Sequence, residues 1–281
     1  MDSDWEFAPH YFTADGWRMH YVDEGTGPPV VFVHGTPTWS YLWRHLLRGL
    51  SGSHRCIAVD HLGFGLSDKP PEADYTPAAH AERLGQVLEQ LDVHDVTLVV
   101  HDYGGPIGLA WALSNLARVR RIVLMNTWLW SNEGNRAVES AHRLLSGPLG
   151  RFLYTRLNFS VRVLLPNAFA DRTVLTQQVS RHYRQPFSSP QERIAPWVLA
   201  RELINSNGWY ASLWDQRERL TPVPMLILWG TADRLIGPAQ LQRWRDEFPH
   251  AEIMELGGVG HFVPEEAPGD ALSRIREFLG S

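Results

Sequence analysis

The 281-residue chain contains a single cysteine, Cys56. One cysteine excludes an internal disulfide framework and a thiolate zinc cluster. No apolar run approaches the roughly 20 residues needed to cross a bilayer. The acidic residues 1–6 lack the charged-then-apolar plan of a secretory signal. These absences predict a cytoplasmic protein with no membrane partner.

Long basic runs are also missing, and the formal net charge is −5. Nucleic-acid binding needs clustered cations to neutralise phosphates, so we expect no nucleic-acid partner. No closely spaced histidine pair with a carboxylate resembles a zinc or iron site. The glycines over 104–108 form too weak a pattern to indicate a dinucleotide site. We therefore expect neither a metal nor a cofactor.

What the chain has is an alternation of strands and helices within a length that suits one large α/β domain or a core with an insertion. Apolar, β-branched runs indicate buried strands, and residues 77–91 have the apolar spacing of an amphipathic helix. Such alternation favours a mostly parallel sheet with helices on both faces. The predicted strands comprise two short ones within 9–24 and single ones near 28–34, 55–60, 97–100, 121–126, 223–230 and 251–256.

The strand pattern is interrupted between about residues 131 and 218. Strand-like runs vanish there, and helical periodicity mixes with many aromatic residues. We therefore predict the first part of an α/β core over 1–130, a helical insertion over 131–217 and the second part of the core over 218–281.

Asp102 lies where a predicted strand turns into a helix that begins near Ile107, with glycines between them. In the G-x-S-x-G elbow, a nucleophile is held on such a strained turn beside backbone N–H groups that stabilise negative charge. Here a carboxylate occupies the nucleophile's position. The alternative is that Asp102 caps the helix, because Asp is a preferred N-cap residue. The motif alone does not decide between them.

Two further polar residues follow later strands: Asp233 comes after the seventh predicted strand and His261 after the eighth. Because parallel strands end at one edge of a sheet, both residues can meet Asp102 there. The order nucleophile, acid, histidine is that of α/β-hydrolases. The plain alternatives are a helix cap for Asp233 and a surface-loop histidine for His261.

A carboxylate nucleophile suits displacement at a saturated carbon. It is ionised near neutral pH without a base to remove its proton, and its attack gives an alkyl ester whose carbonyl water can then cleave. A histidine is needed as general base for that water, and an acid such as Asp233 orients the imidazole. The backbone N–H groups of Thr36, in the His-Gly-x-Pro loop, and of Tyr103 are candidate oxyanion donors.

The chain resembles the haloalkane dehalogenases of the α/β-hydrolase superfamily. The resemblance rests on motifs in five segments: 34–44, 60–70, 97–109, 124–126 and 260–265. It implies an eight-stranded core, a helical cap inserted after the sixth strand, and Asp102, Asp233 and His261 as nucleophile, acid and base. In one subfamily the acid follows the earlier strand, where Asn126 stands here, so the subfamily that uses Asp233 fits better. The implied substrate is a small apolar haloalkane, which water converts to an alcohol and a halide.

The chain departs from these dehalogenases at the halide site. They usually place a Trp directly after the nucleophile, where this chain has Tyr103, and one subfamily has an Asn where Thr36 stands. These departures concern the binding of the leaving group and not the fold or the aspartyl-ester mechanism. We expect Trp39, Tyr154, Tyr183 and Tyr210 in the substrate pocket.

Three alternatives stay open. Epoxide hydrolases share the carboxylate nucleophile but activate the epoxide oxygen with cap tyrosines; Asn207–Tyr210 resembles a segment that supplies one, and Tyr154 or Tyr183 could be the other. A lactone-opening or decarboxylating relative would also use the carboxylate. A small-molecule receptor on the same fold would bind without turnover. For the quaternary state we expect a monomer or a weak homo-oligomer.

Overall fold

A computed structural model describes residues 4–280, so part of the acidic N-terminal segment 1–6 lies outside the described residues. Its centre is one sheet with the strand order β1-β2-β4-β3-β5-β6-β7-β8. The strands are β1 His10–Ala14, β2 Trp17–Glu24, β3 Pro29–Val33, β4 Arg55–Val59, β5 Val96–Asp102, β6 Val119–Thr127, β7 Met225–Gly230 and β8 Glu252–Leu256.

Pairing is antiparallel from β1 to β2 and from β2 to β4, and parallel across the rest of the sheet. Every residue of β5 and β7 is buried, as the unbroken apolar runs of a doubly covered parallel sheet require. The β1–β2 turn has positive φ at Asp15 and Gly16, which suits a tight hairpin. The predicted eight-stranded, mostly parallel sheet is confirmed.

The described residues also form twelve α-helices. These are α1 Arg44–Leu50, α2 Pro77–Gln90, α3 Gly104–Ser114, α4 Arg136–Leu145, α5 Pro148–Leu157, α6 Leu165–Ala168, α7 Gln177–Arg184, α8 Ile194–Asn205, α9 Asn207–Trp214, α10 Pro238–Glu247, α11 Val263–Glu266 and α12 Pro268–Leu279. The predicted helix near 77–91 is α2, which starts after Thr76, whose side chain accepts from the Ala79 N–H. None of these helices, within residues 4–280, is long and apolar enough to span a bilayer.

The six helices α4 to α9 all lie between β6 and β7. The segment between β6 and β7 contains no strand, as the absence of β-branched runs predicts. Ser160–Leu164 adds a π-helical turn before α6. The helical insertion therefore follows the sixth strand. The division of the chain into segments at 130/131 and 217/218 stays a prediction.

Candidate active site

Asp102 is the last residue of β5, and its backbone φ of 52° is in the left-handed region that L-residues rarely adopt. Two glycines make this turn possible. A Cβ on Gly104 would lie 1.9 Å from the Val33 carbonyl oxygen, and one on Gly105 would lie 1.7 Å from the Thr127 Oγ1. The glycines let the start of α3 pack directly against the strand ends, and Asp102 is lifted to the edge of the sheet.

The Asp102 side chain does not cap α3, which has no side-chain hydrogen bond at its N-terminus. Its Oδ1 instead accepts a 2.8 Å hydrogen bond from the backbone N–H of Thr36. The capping interpretation of Asp102 is therefore wrong. The same loop comes so close that a Cβ on Gly35 would lie 2.1 Å from Asp102 Oδ1.

The structure brings Asp233 and His261 to the same edge as Asp102. His261 Nδ1 lies 2.8 Å from Asp233 Oδ2, and its Nε2 lies 3.5 Å from Asp102 Oδ2. His261 is buried, with 1% of its surface exposed, so it is not a surface-loop histidine. The imidazole is therefore placed between two carboxylates.

Asp233 is held by the loop that follows β7. Its Oδ1 accepts from the backbone N–H groups of Leu235 and Ile236, so it closes a turn before α10 and does not cap that helix, whose N-cap is Gly237. Burial alone would raise the pKa of Asp233, but His261 and these N–H donors hold it below its usual value. Asp233 therefore stays an anion that accepts from the imidazole.

Asn126 also belongs to this site. Its Nδ2 donates to Asp233 Oδ2 at 2.8 Å, and its amide also binds the backbone of Gly230 in both directions. The sequence resemblance marks position 126 only as a place where one dehalogenase subfamily has its acid, and it does not predict a contact of Asn126 with Asp233. The signal in the sequence is that Asn126 lies near the end of the sixth predicted strand and Asp233 follows the seventh, so that both lie at the same edge of a parallel sheet.

His101 holds the other side of the His261 loop. Its Nε2 donates to the His261 carbonyl at 2.8 Å, and burial lowers the pKa of His101 to about 3, so its ring is neutral. Burial would also lower the pKa of His261, but the charges of Asp233 and Asp102 and their hydrogen bonds raise it to about 10. In the unreacted site His261 is therefore an imidazolium.

The site opens into a cavity of about 370 Å³. Thr36, Asp102, Tyr103 and His261 lie along it, and most of the remaining lining is aliphatic or aromatic, contributed by both the core and the helical insertion. The solvent-exposed lining residues belong to segments 137–141 and 234–235. The mouth therefore lies between α4 and the loop after β7, and the interior suits an apolar molecule.

Among the predicted pocket residues, only Tyr154 borders this cavity. Trp39 packs in an aromatic cluster and donates from Nε1 to the His182 carbonyl. The Tyr183 hydroxyl donates to the buried carboxylate of Glu265. Tyr210 is fully buried outside the lining. The prediction that these three residues line the pocket is therefore corrected, because polar partners and aromatic packing hold them elsewhere.

Tyr103 borders the cavity, but its hydroxyl donates to the Leu199 carbonyl in α8 at 2.5 Å. Burial raises the pKa of Tyr103 well above its usual value, so the phenol stays protonated. The Tyr103 hydroxyl could donate a hydrogen bond to a leaving group only if its bond to the Leu199 carbonyl were broken.

Comparison with known proteins agrees with this architecture. A family model described as the alpha/beta hydrolase fold matches residues 28–268. Haloalkane dehalogenase 2 of Mycobacterium tuberculosis is 34% identical over 280 residues, which cover 98% of this chain and 96% of that protein. The cis-3-alkyl-4-alkyloxetan-2-one decarboxylase of Shewanella oneidensis is 30% identical over 287 residues, covering 99% of this chain and 90% of the relative.

Solved structures give the same result. A tyrosine-to-tryptophan mutant of the haloalkane dehalogenase DatA from Agrobacterium tumefaciens superposes with a TM-score of 0.88 at 30% identity, over 98% of this chain and 97% of the other. The likeness thus extends along the whole chain and includes the insertion.

Proposed function

The chain is a haloalkane dehalogenase-like member of the α/β-hydrolase family, and from that premise we propose that it hydrolyses haloalkanes through an ester of Asp102. The observation that carries the proposal is the pair of contacts on this carboxylate. Oδ1 is bound to the Thr36 N–H at 2.8 Å, and Oδ2 faces His261 Nε2 at 3.5 Å in an apolar cavity.

In the first step, Oδ2 of Asp102 attacks the carbon that bears the halogen. The new C–O bond forms as the carbon–halogen bond breaks, and the halide leaves with the bonding electron pair. Oδ2 is the nucleophilic atom because Oδ1 is already held by the Thr36 N–H. No proton has to be removed, since the carboxylate carries its charge in advance.

In the second step, water attacks the carbonyl carbon of the ester. His261 takes a proton from this water, and Asp233 stabilises the imidazolium that results. The negative charge that develops on Oδ1 falls where the Thr36 N–H already donates. We assign the Tyr103 N–H, at the start of α3, as the second donor. Collapse of the intermediate breaks the bond between the ester carbonyl carbon and the alkoxy oxygen, the His261 imidazolium gives its proton to that oxygen, and the alcohol leaves as the Asp102 carboxylate is restored.

His261 can accept this proton only after the first step has changed its surroundings. The charge on Asp102 contributes to the high pKa of His261 in the unreacted site. Ester formation removes that charge, so the pKa of the imidazole falls and its proton can pass to solvent. Formation of the ester therefore prepares the base that hydrolyses it.

A second candidate function is decarboxylation of an oxetan-2-one, the reaction named for the Shewanella oneidensis relative. Oδ2 of Asp102 would attack the saturated ring carbon bonded to the ring oxygen, C4, and cleavage of that carbon–oxygen bond would open the ring to a carboxylate. Loss of carbon dioxide would then break the bond to Asp102 and give an alkene, without water. The Tyr103 hydroxyl donates to the Leu199 carbonyl of α8, so it is not free to bind a departing halide. This favours decarboxylation, because no halide leaves in that reaction.

Epoxide hydrolysis has less support. That chemistry needs tyrosine hydroxyls that donate to the epoxide oxygen from the cap, but the Tyr183 hydroxyl is engaged by Glu265 and Tyr210 lies outside the cavity lining. Tyr154 is the one cap tyrosine along the lining.

Trapping the ester tests the mechanism. We expect His261→Gln incubated with 1-bromohexane to gain the mass of one hexyl group, located by peptide mass spectrometry at Asp102. The matched control is Asp102→Ala combined with His261→Gln, which should stay unmodified. An unmodified mass for His261→Gln would contradict the ester mechanism.

Product analysis separates the candidate reactions. Bromide release from 1-bromohexane, with ¹⁸O from labelled water entering Asp102 during a single turnover, is the expected result. Alkene and carbon dioxide from a cis-3,4-dialkyloxetan-2-one, without label in Asp102, would establish decarboxylation instead. Diol from styrene oxide would indicate an epoxide hydrolase, and saturable binding without any product would indicate a receptor.

A further inference from the structure

The loop that carries His261 has few side-chain anchors of its own. It runs from β8 to α11 and includes Gly257, Gly258 and Gly260. On the core side, the Val259 carbonyl accepts from Ala232 N at 2.8 Å. The backbone of His261 itself is bound on both sides: its carbonyl accepts from His101 Nε2 of the core at 2.8 Å, and its N–H donates to the Ala168 carbonyl of the helical insertion at 3.0 Å. The position of the imidazole therefore depends on the insertion as well as on the core.

Glu266 joins the two parts with one carboxylate. Its Oε1 accepts from the backbone N–H of Gly260 at 3.1 Å, one residue before His261. Its Oε2 accepts from the N–H groups of Ala170 and Asp171, at 2.9 and 3.0 Å, just after α6. Three backbone donors from two distant segments thus converge on a single side chain.

This junction is tightly packed. A Cβ on Gly260 would lie 2.5 Å from the Ala170 nitrogen and 2.6 Å from the Ala168 carbonyl oxygen, both of them backbone atoms. Only glycine fits there without a shift of the loop or of the insertion. The preceding glutamate, Glu265, cannot replace Glu266, because its carboxylate binds Arg44 and Tyr183 in a different direction.

We infer that Glu266 is a positioning residue that holds His261 at its working place by clamping the loop of the base to the helical insertion. The inference rests on the proposed function, in which His261 acts in the second step only. Ester formation by Asp102 does not use the imidazole. Loss of the clamp should therefore slow hydrolysis of the ester and leave its formation almost unchanged.

Glu266→Gln removes the clamp with little change in size. The amide keeps one acceptor oxygen but replaces the other by an NH₂ group, which can only donate. Whichever way the amide turns, it places a donor against the N–H of Gly260 or against those of Ala170 and Asp171. A displacement of about 1 Å in a reacting group can lower a rate by about a hundredfold.

The matched control is Glu192→Gln. The Glu192 carboxylate also binds a backbone N–H, that of Ser189 at 2.6 Å, and the Ser188 hydroxyl at 2.7 Å. Both contacts lie within the insertion, and neither reaches the loop that carries His261. This variant therefore tests the loss of a similar carboxylate without loss of the clamp.

The experiment measures single turnovers of 1-bromohexane by rapid quench, with bromide release for the first step, hexanol formation for the second and intact mass for the ester. For Glu266→Gln we expect bromide release within about threefold of the wild-type rate, hexanol formation slowed by about 10- to 100-fold, and accumulated ester. Glu192→Gln should match the wild type in both steps.

If Glu266→Gln forms hexanol at the wild-type rate, or if both of its steps are slowed equally, the inference is overturned. The failure of the inference can be told apart from the failure of the proposed function: if His261→Gln forms no ester, the proposed function fails, whereas an ester in His261→Gln together with normal hydrolysis by Glu266→Gln removes the positioning role alone. If Glu266→Gln does not fold, Glu266→Asp, which keeps the charge but is too short to span both segments, must show the same slowing of the second step only.

Discussion

The charge of Asp102 should control the proton affinity of His261, and replacement of Asp102 by Asn measures this directly. Asn has nearly the shape of Asp and, like the alkyl ester, carries no charge. The variant therefore reproduces the electrostatic state of the site after the first step. We expect the titration midpoint of the His261 imidazole to fall in Asp102→Asn.

The size of the effect follows from the contact of 3.5 Å between His261 Nε2 and Asp102 Oδ2. Each charge is spread over several atoms, so the centres of charge lie roughly 5 Å apart, and at an effective dielectric constant of about 20 their interaction is about 3 kcal/mol. Since about 1.4 kcal/mol corresponds to one pH unit, the midpoint should fall by about two pH units.

The assay is a pH titration followed by NMR of ring-labelled histidine, with the His261 signals assigned by their absence from His261→Gln. Asp233→Asn is the companion variant, and it should also lower the midpoint, because the Asp233 charge raises the pKa of His261. His101, which packs against His261, is neutral over this range and should not interfere. A midpoint in Asp102→Asn within half a unit of the wild type, at roughly equal protein stability, would refute the electrostatic reasoning.

Two further predictions concern stability. Burial lowers the pKa of His80 to about 3, so below pH 6.5 the unfolded chain binds a proton at His80 that the folded protein does not bind. Between pH 7 and pH 5 the free energy of unfolding, measured with urea, should therefore fall by about 2 kcal/mol less in His80→Phe than in the wild type. An equal fall in both proteins would contradict this. Glu265→Gln removes the fully buried partner of Arg44, which keeps only the partly exposed Asp4 carboxylate at 3.3 Å, and should cost about 3 kcal/mol by the same method; a cost under about 1 kcal/mol would show that Asp4 alone balances the Arg44 charge.

The core of the site could be predicted because it depends on backbone rules that leave a record in the sequence. A strand followed by glycines and a helix predicts an elbow at Asp102, and the carboxyl ends of parallel strands meet at one edge of the sheet. Asp233 and His261 each follow such a strand. The order of the residues along the chain therefore sufficed to bring together three side chains that are up to 159 positions apart, from Asp102 to His261.

The pocket could not be predicted in the same way. Helical periodicity within the insertion indicates which residues share a helix face, but not what that face meets. Tyr183 is turned away by Glu265, which lies 82 positions further along the chain, and Trp39 is held by the carbonyl of His182, 143 positions away. Asn126 was missed for a related reason, since its role comes from a partner on the neighbouring strand.

In the proposed mechanism, the two chemical steps depend on different parts of the molecule. Asp102 and the Thr36 N–H belong to the core, where the glycine elbow and the neighbouring strands hold them rigidly. His261 lies between the core, through Asp233, and the insertion, through Ala168. The exposed edge of the cavity lies between α4 of the insertion and the loop after β7. A displacement of the insertion relative to the core would therefore move the base and leave the nucleophile in place, so it would slow hydrolysis of the ester more than its formation.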